Sequence, residues 1–321
     1  MTEFGYTMLC EQTSPKALVT DVQAAEDAGF DFALISDHYF PWVDAMGHSP
    51  YAWAVLGAAA QATTNIDLMT GVTCPIKRYH PAVVAQKAAT IALLSDGRFT
   101  LGLGAGENLN EHVTGGGWPP VSTRHEMLAE AVDIINALFA GGYVSYKGHH
   151  FEVDSAKLWD LPHPPPPIGI AASGEASCQL AAAQADLLIA AEPNARLSRL
   201  FDGAGGTGKP KVGQLPVSYG TDREEAIERA RRLFGWFGSG WKVNSELPGT
   251  AAFEGASQFV RPEDITSTIP CGHKVEDFVA GAKRFRDAGF THLALVQIGG
   301  DKQLDFIRWA QRDLLPALRD S

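Results

Sequence analysis

Short runs rich in β-branched and aromatic residues alternate along this chain with longer, alanine-rich runs of helical character. Residues 4–9 precede 15–28, 31–35 precede 51–62, 66–70 precede 81–94, 99–103 precede 124–139, and 168–171 precede 175–185. A helix after each strand carries the chain back across the sheet, so the strands run parallel. Residues 187–190, 211–219 and 292–298 supply three more strands. In 321 residues this pattern predicts a closed (β/α)8 TIM barrel rather than a doubly wound sheet, whose dinucleotide loop should follow the first strand and is missing here.

Two stretches interrupt the alternation. Residues 143–146 and 149–153 flank Lys147-Gly148 and read as a surface hairpin, followed by a stiff, proline-rich connector at 162–167. Residues 235–272 are rich in glycine and aromatics (Trp236, Phe237, Trp241, Phe253, Phe259). They are expected to form an insertion over the barrel mouth, within a single domain spanning 1–321.

The chain is 45% hydrophobic and 20% charged, enough for a large core, and its net charge of -11 excludes nucleic acid or an anionic membrane surface as the main partner. Residues 1–6 contain no basic segment followed by an apolar one, and no apolar run reaches the ~18 residues a membrane helix needs, so a cytoplasmic protein is expected. Cys10, Cys74, Cys178 and Cys271 contain no Cys-x-x-Cys pair and are expected to be reduced thiols, with no metal site.

Two glycine motifs fail on inspection. Residues 203–209 (Gly-Ala-Gly-Gly-Thr-Gly-Lys) match a phosphate-binding loop until Pro210 stands where Ser or Thr must ligate magnesium, which leaves a flexible surface loop. Residues 102–107 (Gly-Leu-Gly-Ala-Gly-Glu) place Glu107 at the third glycine of a dinucleotide fingerprint and lie at the fourth strand instead of the first.

In a barrel, chemistry gathers at the C-terminal ends of the strands. Those ends offer Glu11; Asp37, His38 and Trp42; Gly71, Val72 and Thr73; Glu107 and Asn110; Ala172, Ser173 and Gly174; and Glu192. An imidazole titrates near neutrality, and a neighbouring carboxylate can hold it as a base. From the residues alone, Asp37 could equally cap a helix around a packed His38, Glu107 and Asn110 could be first-turn polar residues, and 172–174 could be a plain tight turn.

The segments 36–42, 78–83, 104–111, 171–174 and 288–292 together resemble the luciferase-like family of flavin and deazaflavin oxidoreductases, in particular its coenzyme F420-dependent branch related to glucose-6-phosphate dehydrogenases. The resemblance implies hydride transfer between the deazaflavin and a small-molecule substrate, with FMN-dependent monooxygenation as the alternative. It implies that His38 is the base at the substrate hydroxyl, that Glu107 serves the ring's N1 as an acid, and that Trp42 walls the substrate pocket. Asp37 and Asn110 would bind the cofactor. Gly71-Val72, followed by Thr73, would form a cis-peptide bulge against the ring. Ala172, Ser173 and Gly174 would offer free backbone N–H groups to the cofactor's phosphate. Family habit implies a homodimer.

The sugar-phosphate dehydrogenases of that branch hold the phosphate with lysines after the sixth strand and in the insertion, plus an arginine. Here Glu192 and Ser267 stand in their stead. With Glu11, Trp42 and Glu192 around the substrate, an uncharged alcohol, ketone or enone is expected, and glucose 6-phosphate is the alternative.

Overall fold

The computed structural model describes residues 2–321. Eight parallel strands close on themselves: β1 (Glu3–Met8), β2 (Phe32–Ile35), β3 (Asp67–Thr70), β4 (Phe99–Leu103), β7 (Ile168–Ala171), β8 (Leu187–Ala190), β9 (Lys211–Tyr219) and β11 (His292–Gln297). Closure is complete because β9 pairs with both β8 and β11, and β11 pairs with β1. This is the (β/α)8 barrel that the alternation predicts. The hairpin β5 (Val144–Lys147) and β6 (Glu152–Ala156) stands apart as an antiparallel pair, and β10 (Cys271–Gly272) adds two residues beside the end of β9. The expected two-residue turn at Lys147-Gly148 is a wider loop, closed by the Gly148 N–H donating to the Phe151 carbonyl at 2.9 Å.

The outer helices begin where capping chemistry places them. Ser14 accepts the Ala17 N–H ahead of Pro15 to start α1 (Pro15–Ala28), and Gly29, at φ 89°, ends it. The N-cap His80 does the same for α3 (Pro81–Leu94), with α2 (Ala52–Ala62) between them. The series continues with α4 (Asn108–Glu111), α5 (Val121–Phe139), α6 (Glu175–Gln184), α7 (Ala195–Phe201) and α8 (Arg223–Phe234). The 235–272 segment contains three short helices, α9 (Trp241–Asn244), α10 (Thr250–Ser257) and α11 (Pro262–Thr266). The chain closes with α12 (Val275–Asp287), α13 (Gln303–Trp309) and α14 (Leu315–Asp320). The failed phosphate loop is wound into a wide turn after α7, and Lys209 spends its ammonium on the Ala182 and Ala185 carbonyls at the end of α6 (2.8 and 2.7 Å).

Strand alternation sorts side chains into separate cores. Phe32, Leu34, Met69, Leu187, Ile189, Val212 and Ala294 fill the barrel interior, while Ala33 and Ile35 on the opposite face join the larger layer under the helices. A third apolar cluster lies at the mouth, where Trp42, Trp236, Phe253 and Ile265 pack beneath the short helices. All four cysteines are buried and free. Among the described residues no helix is long and apolar enough to cross a membrane.

An added Cβ at Gly102 would lie 1.9 Å from the Thr70 carbonyl oxygen on the neighbouring strand, a backbone atom that cannot swing aside. Gly102→Ala is therefore expected to lower the unfolding free energy by about 3 kcal/mol or more, the upper range for overpacking. Gly203→Ala, whose Cβ would meet nothing within 4 Å, should leave the urea midpoint almost unmoved.

Candidate active site

The mouth encloses a cavity of about 450 Å³ reached by six of the expected positions that carry reactive or selective side chains: Glu11, His38, Trp42, Glu107, Ser173 and Glu192. They arrive from five strand ends or the loops beyond them, with His38 and Trp42 sharing the loop after β2. A short turn at Cys10–Gln12 after β1 turns Glu11 inward, and the extended residues after β2 bring in Ser36 and His38.

Glu11 and His38 form a buried pair, with His38 Nδ1 2.7 Å from Glu11 Oε1. The other carboxylate oxygen accepts the Ser36 hydroxyl at 2.6 Å, and that hydroxyl in turn accepts the Cys10 N–H at 3.0 Å. Burial pulls the His38 pKa down, but the adjacent Glu11 carboxylate, aided by Glu107, outweighs it and holds the imidazole above its ordinary 6.5. The reciprocal balance holds Glu11 low: burial raises its pKa, and His38 with the Ser36 hydroxyl more than reverses this. The ring also packs edge-on against Trp42 at 4.8 Å, and Trp42 stacks on Trp236 at 4.0 Å. With Nδ1 committed to Glu11, Nε2 is the nitrogen left for a ligand.

Asp37 does not reach the cavity, contrary to the expectation that it would meet the deazaflavin edge. Successive side chains of an extended backbone point to opposite faces, so Ser36 and His38 turn inward and Asp37 turns out. There its carboxylate accepts from Trp53 Nε1 (3.0 Å), Thr73 Oγ1 (2.7 Å), Tyr79 Oη (3.2 Å) and Arg78 Nη1 (3.3 Å). Thr73 is consumed in this knot and is likewise absent from the cavity wall. Asn110 is also behind the wall: its Oδ1 accepts the Tyr39 and Phe40 N–H groups (2.8 and 3.2 Å), and its Nδ2 donates to Glu107 at 3.4 Å. It ties the β2 loop to the β4 loop and steadies Glu107.

The Gly71-Val72 peptide is cis, and both residues line the cavity. A Cβ on Gly71 would fall 2.2 Å from Leu34 Cδ2 in the barrel interior, which explains the glycine. Ala172 and Ser173 are on the wall, whereas Gly174 is not. The N–H groups of Ser173 and Gly174 are not free as expected. Both donate to the Ser177 hydroxyl (3.2 and 3.1 Å), so an anion binding here would have to displace Ser177, itself a wall residue.

Arg124 and His125 are wall residues that carry no expectation from the sequence, since they sit at the start of α5, where a helical pattern gives no hint of direction; Trp236, Phe237, Trp241 and Lys242 reach the wall from the 235–272 segment, whose aromatics were expected over the mouth. Gln214 carried a usable signal, as a long polar side chain in the middle of the otherwise apolar run 212–217 of β9. The expected shortage of cations near Glu192 is also amended. Ser267 is off both cavity walls, but Arg196, Arg199 and Arg284 line an adjoining cavity of about 570 Å³ that shares Glu192 with the first. Among the described residues none of these three arginines has a carboxylate within ion-pair distance; Arg196 and Arg199 reach the rim on α7, directly after the loop that follows β8, and Arg284 reaches it from α12. By contrast Lys77 and Arg261 are engaged at the surface, and Arg78 is locked to Asp37 and Glu111.

Comparison with known proteins agrees with this geometry. The model of the family described as luciferase-like monooxygenase matches residues 2–304. An F420-dependent hydroxymycolic acid dehydrogenase of Mycobacterium tuberculosis is 42% identical, over 98% of this chain and 88% of that protein. An F420-dependent glucose-6-phosphate dehydrogenase of Beutenbergia cavernae is 34% identical, over 99% and 98%. Among solved structures, an F420-dependent secondary alcohol dehydrogenase in complex with an F420-acetone adduct superposes with a TM-score of 0.91 at 28% identity, over 99% of both chains. With a match that runs through nearly every strand and loop of the barrel, the chain belongs to the luciferase-like monooxygenase family.

Proposed function

We propose that this protein is a coenzyme F420-dependent oxidoreductase that interconverts an alcohol and its carbonyl compound, with His38 as the acid-base residue. The observation that carries the reading is the Glu11–His38 pair on the cavity wall, which leaves Nε2 as the nitrogen available to a substrate. The cavity suits a flat tricyclic ring, since Gly71, Val72, Gly104 and Ala105 supply short side chains along one stretch of wall while His38 and Glu107 supply polar groups. The named relatives point to F420 as the occupant. The chemistry this cofactor contributes when bound is hydride exchange. In oxidation, neutral His38 takes the hydroxyl proton at Nε2 while Glu11 steadies the imidazolium through Nδ1; in reduction, protonated His38 returns that proton to the carbonyl oxygen. Glu107, at the cavity wall with its carboxylate braced by Asn110, would give its own proton to the ring's N1 in oxidation, balancing the hydroxyl proton taken up by His38, and would take it back in reduction. Trp42, stacked on Trp236, limits the pocket to substrates with an apolar flank beside the reacting carbon.

A second reading has its own observation. Arg196, Arg199 and Arg284 around the adjoining cavity would suit a substrate with an anionic end, sugar phosphates included, although Glu192 faces the same space. We favour the uncharged substrate because the aromatic residues, not the arginines, surround His38.

Three measurements test this reading. Calorimetric titration should show F420 binding more tightly than FMN or NADP; tighter binding of FMN would reject the cofactor assignment. In steady-state assays neutral secondary alcohols should reduce F420 with a higher kcat/KM than glucose 6-phosphate, and the opposite ranking would move the substrate's anionic end onto the three arginines. The third concerns pH. Oxidation needs neutral His38, so its kcat/KM should climb as pH rises through a midpoint above 6.5, and carbonyl reduction should fall over the same interval. In Glu11→Gln the main charge opposing burial is gone and only Glu107 remains against it, so that midpoint should move down; an unmoved midpoint would assign the limb to another group.

A further inference from the structure

We infer that Arg124 and Glu246 act together as a clamp that positions Glu107 and couples its alignment to the docking of the roof segment 241–248. The inference rests on the reading of Glu107 as an acid of the reaction and adds the residues that hold it.

Glu107 stands between two backbone groups that are both fastened from outside its own loop. On one side the Gly106 carbonyl accepts from Arg124 Nη1 at 3.3 Å. On the other, the Asn108 N–H donates to the Ser245 carbonyl at 3.0 Å, and Asn108 Nδ2 donates to the Glu246 carbonyl at 3.1 Å. The Glu246 side chain then closes the loop of contacts by pairing with Arg124 Nη2. Arg124 is 2% exposed, and its guanidinium lies over the Trp118 ring at 4.4 Å, so it is a fixed post. Glu246 is half exposed and belongs to the other, more separable partner.

The roof segment has the form of a hinged strap. Gly240 (φ 76°) and Gly249 (φ 131°) bracket it in conformations that favour glycine, and a Cβ at either would touch nothing within 4 Å. Between them Trp241, Lys242 and Ser245 line the cavity. The residues that cover a bound substrate therefore belong to the same strap whose backbone pins Asn108 beside the acid. When the strap is docked, the backbone on both sides of Glu107 is held; when it lifts, the Ser245 and Glu246 contacts go together, and of these flanking anchors only the Arg124 contact to Gly106 remains, beside the Asn110 bond to the carboxylate itself.

The test is a double-mutant cycle on the F420-loaded enzyme, supported by proteolysis. Glu246→Gln should lower kcat by about tenfold, the scale expected for a misaligned catalytic group, with KM and melting temperature little changed. Glu246→Asp should recover part of that loss. Limited proteolysis should nick Glu246→Gln between Gly240 and Gly249 faster than the parent, a readout that needs no turnover. Glu107→Gln should itself be slow, and adding Glu246→Gln to it should cost little more, because the clamp acts through Glu107. A fully additive double mutant, or a Glu246→Gln variant with unchanged kcat and proteolysis, overturns the clamp while leaving the reading of Glu107 intact. Glu107→Gln with full activity overturns that reading and the clamp with it.

Discussion

A carboxylate shut away from water must be met by donors, and much of the mouth of this barrel is arranged around that requirement at Asp37. Its donors are four residues from three places: Trp53 on α2, Thr73 after β3, and Arg78 and Tyr79 ahead of α3. Arg78 extends the network to Glu111 beyond β4, through its backbone N–H at 2.8 Å and its Nε at 3.3 Å. Burial would lower the Arg78 pKa, but Asp37 and Glu111 more than compensate and hold the guanidinium firmly charged. Three consecutive strand exits are thus tied together behind the cavity, and removing any one partner would strand a buried charge.

On the other side of the same backbone sits the buried Glu11–His38 pair. Ser36, Asp37 and His38 are consecutive, yet the middle residue serves structure and its neighbours serve the cavity. The pleat makes this division automatic. It also places His38 on a backbone that the Asp37 network has already immobilised, and Glu11 then fixes the ring through Nδ1. Rigid support of this kind is what the acid-base role proposed for His38 would require, because proton transfer depends steeply on distance and direction.

The walls further out divide into two chemistries. Trp42, Trp236 and Phe253 form a continuous aromatic packing unit beside His38, with Trp42 and Phe253 edge-to-face at 5.1 Å. The arginines lie in the neighbouring space under α7 and α12. A luciferase-like barrel can in this way keep one reactive centre while the loops and outer helices decide which part of a substrate is apolar and which is charged.

The eight strands were legible because buried parallel strands read as short β-branched runs separated by helices, and observed bounds such as Phe99–Leu103, Ile168–Ala171 and Leu187–Ala190 coincide with those runs. Glu11, His38, Trp42, Glu107 and Glu192 were recognisable as mouth residues for the same reason, since they follow strand ends. The sequence could not say which way Asp37 or Thr73 turns, that Ser177 satisfies the amides of Ser173 and Gly174, or that Arg124 meets Glu246 across 122 positions. Those facts depend on side-chain direction and on contacts between segments remote in the chain, and neither is encoded in local periodicity. The linear pattern determined the barrel and the strand ends that bear its chemistry; only the closed tertiary structure decided which of those side chains face the cavity and which are spent holding it open.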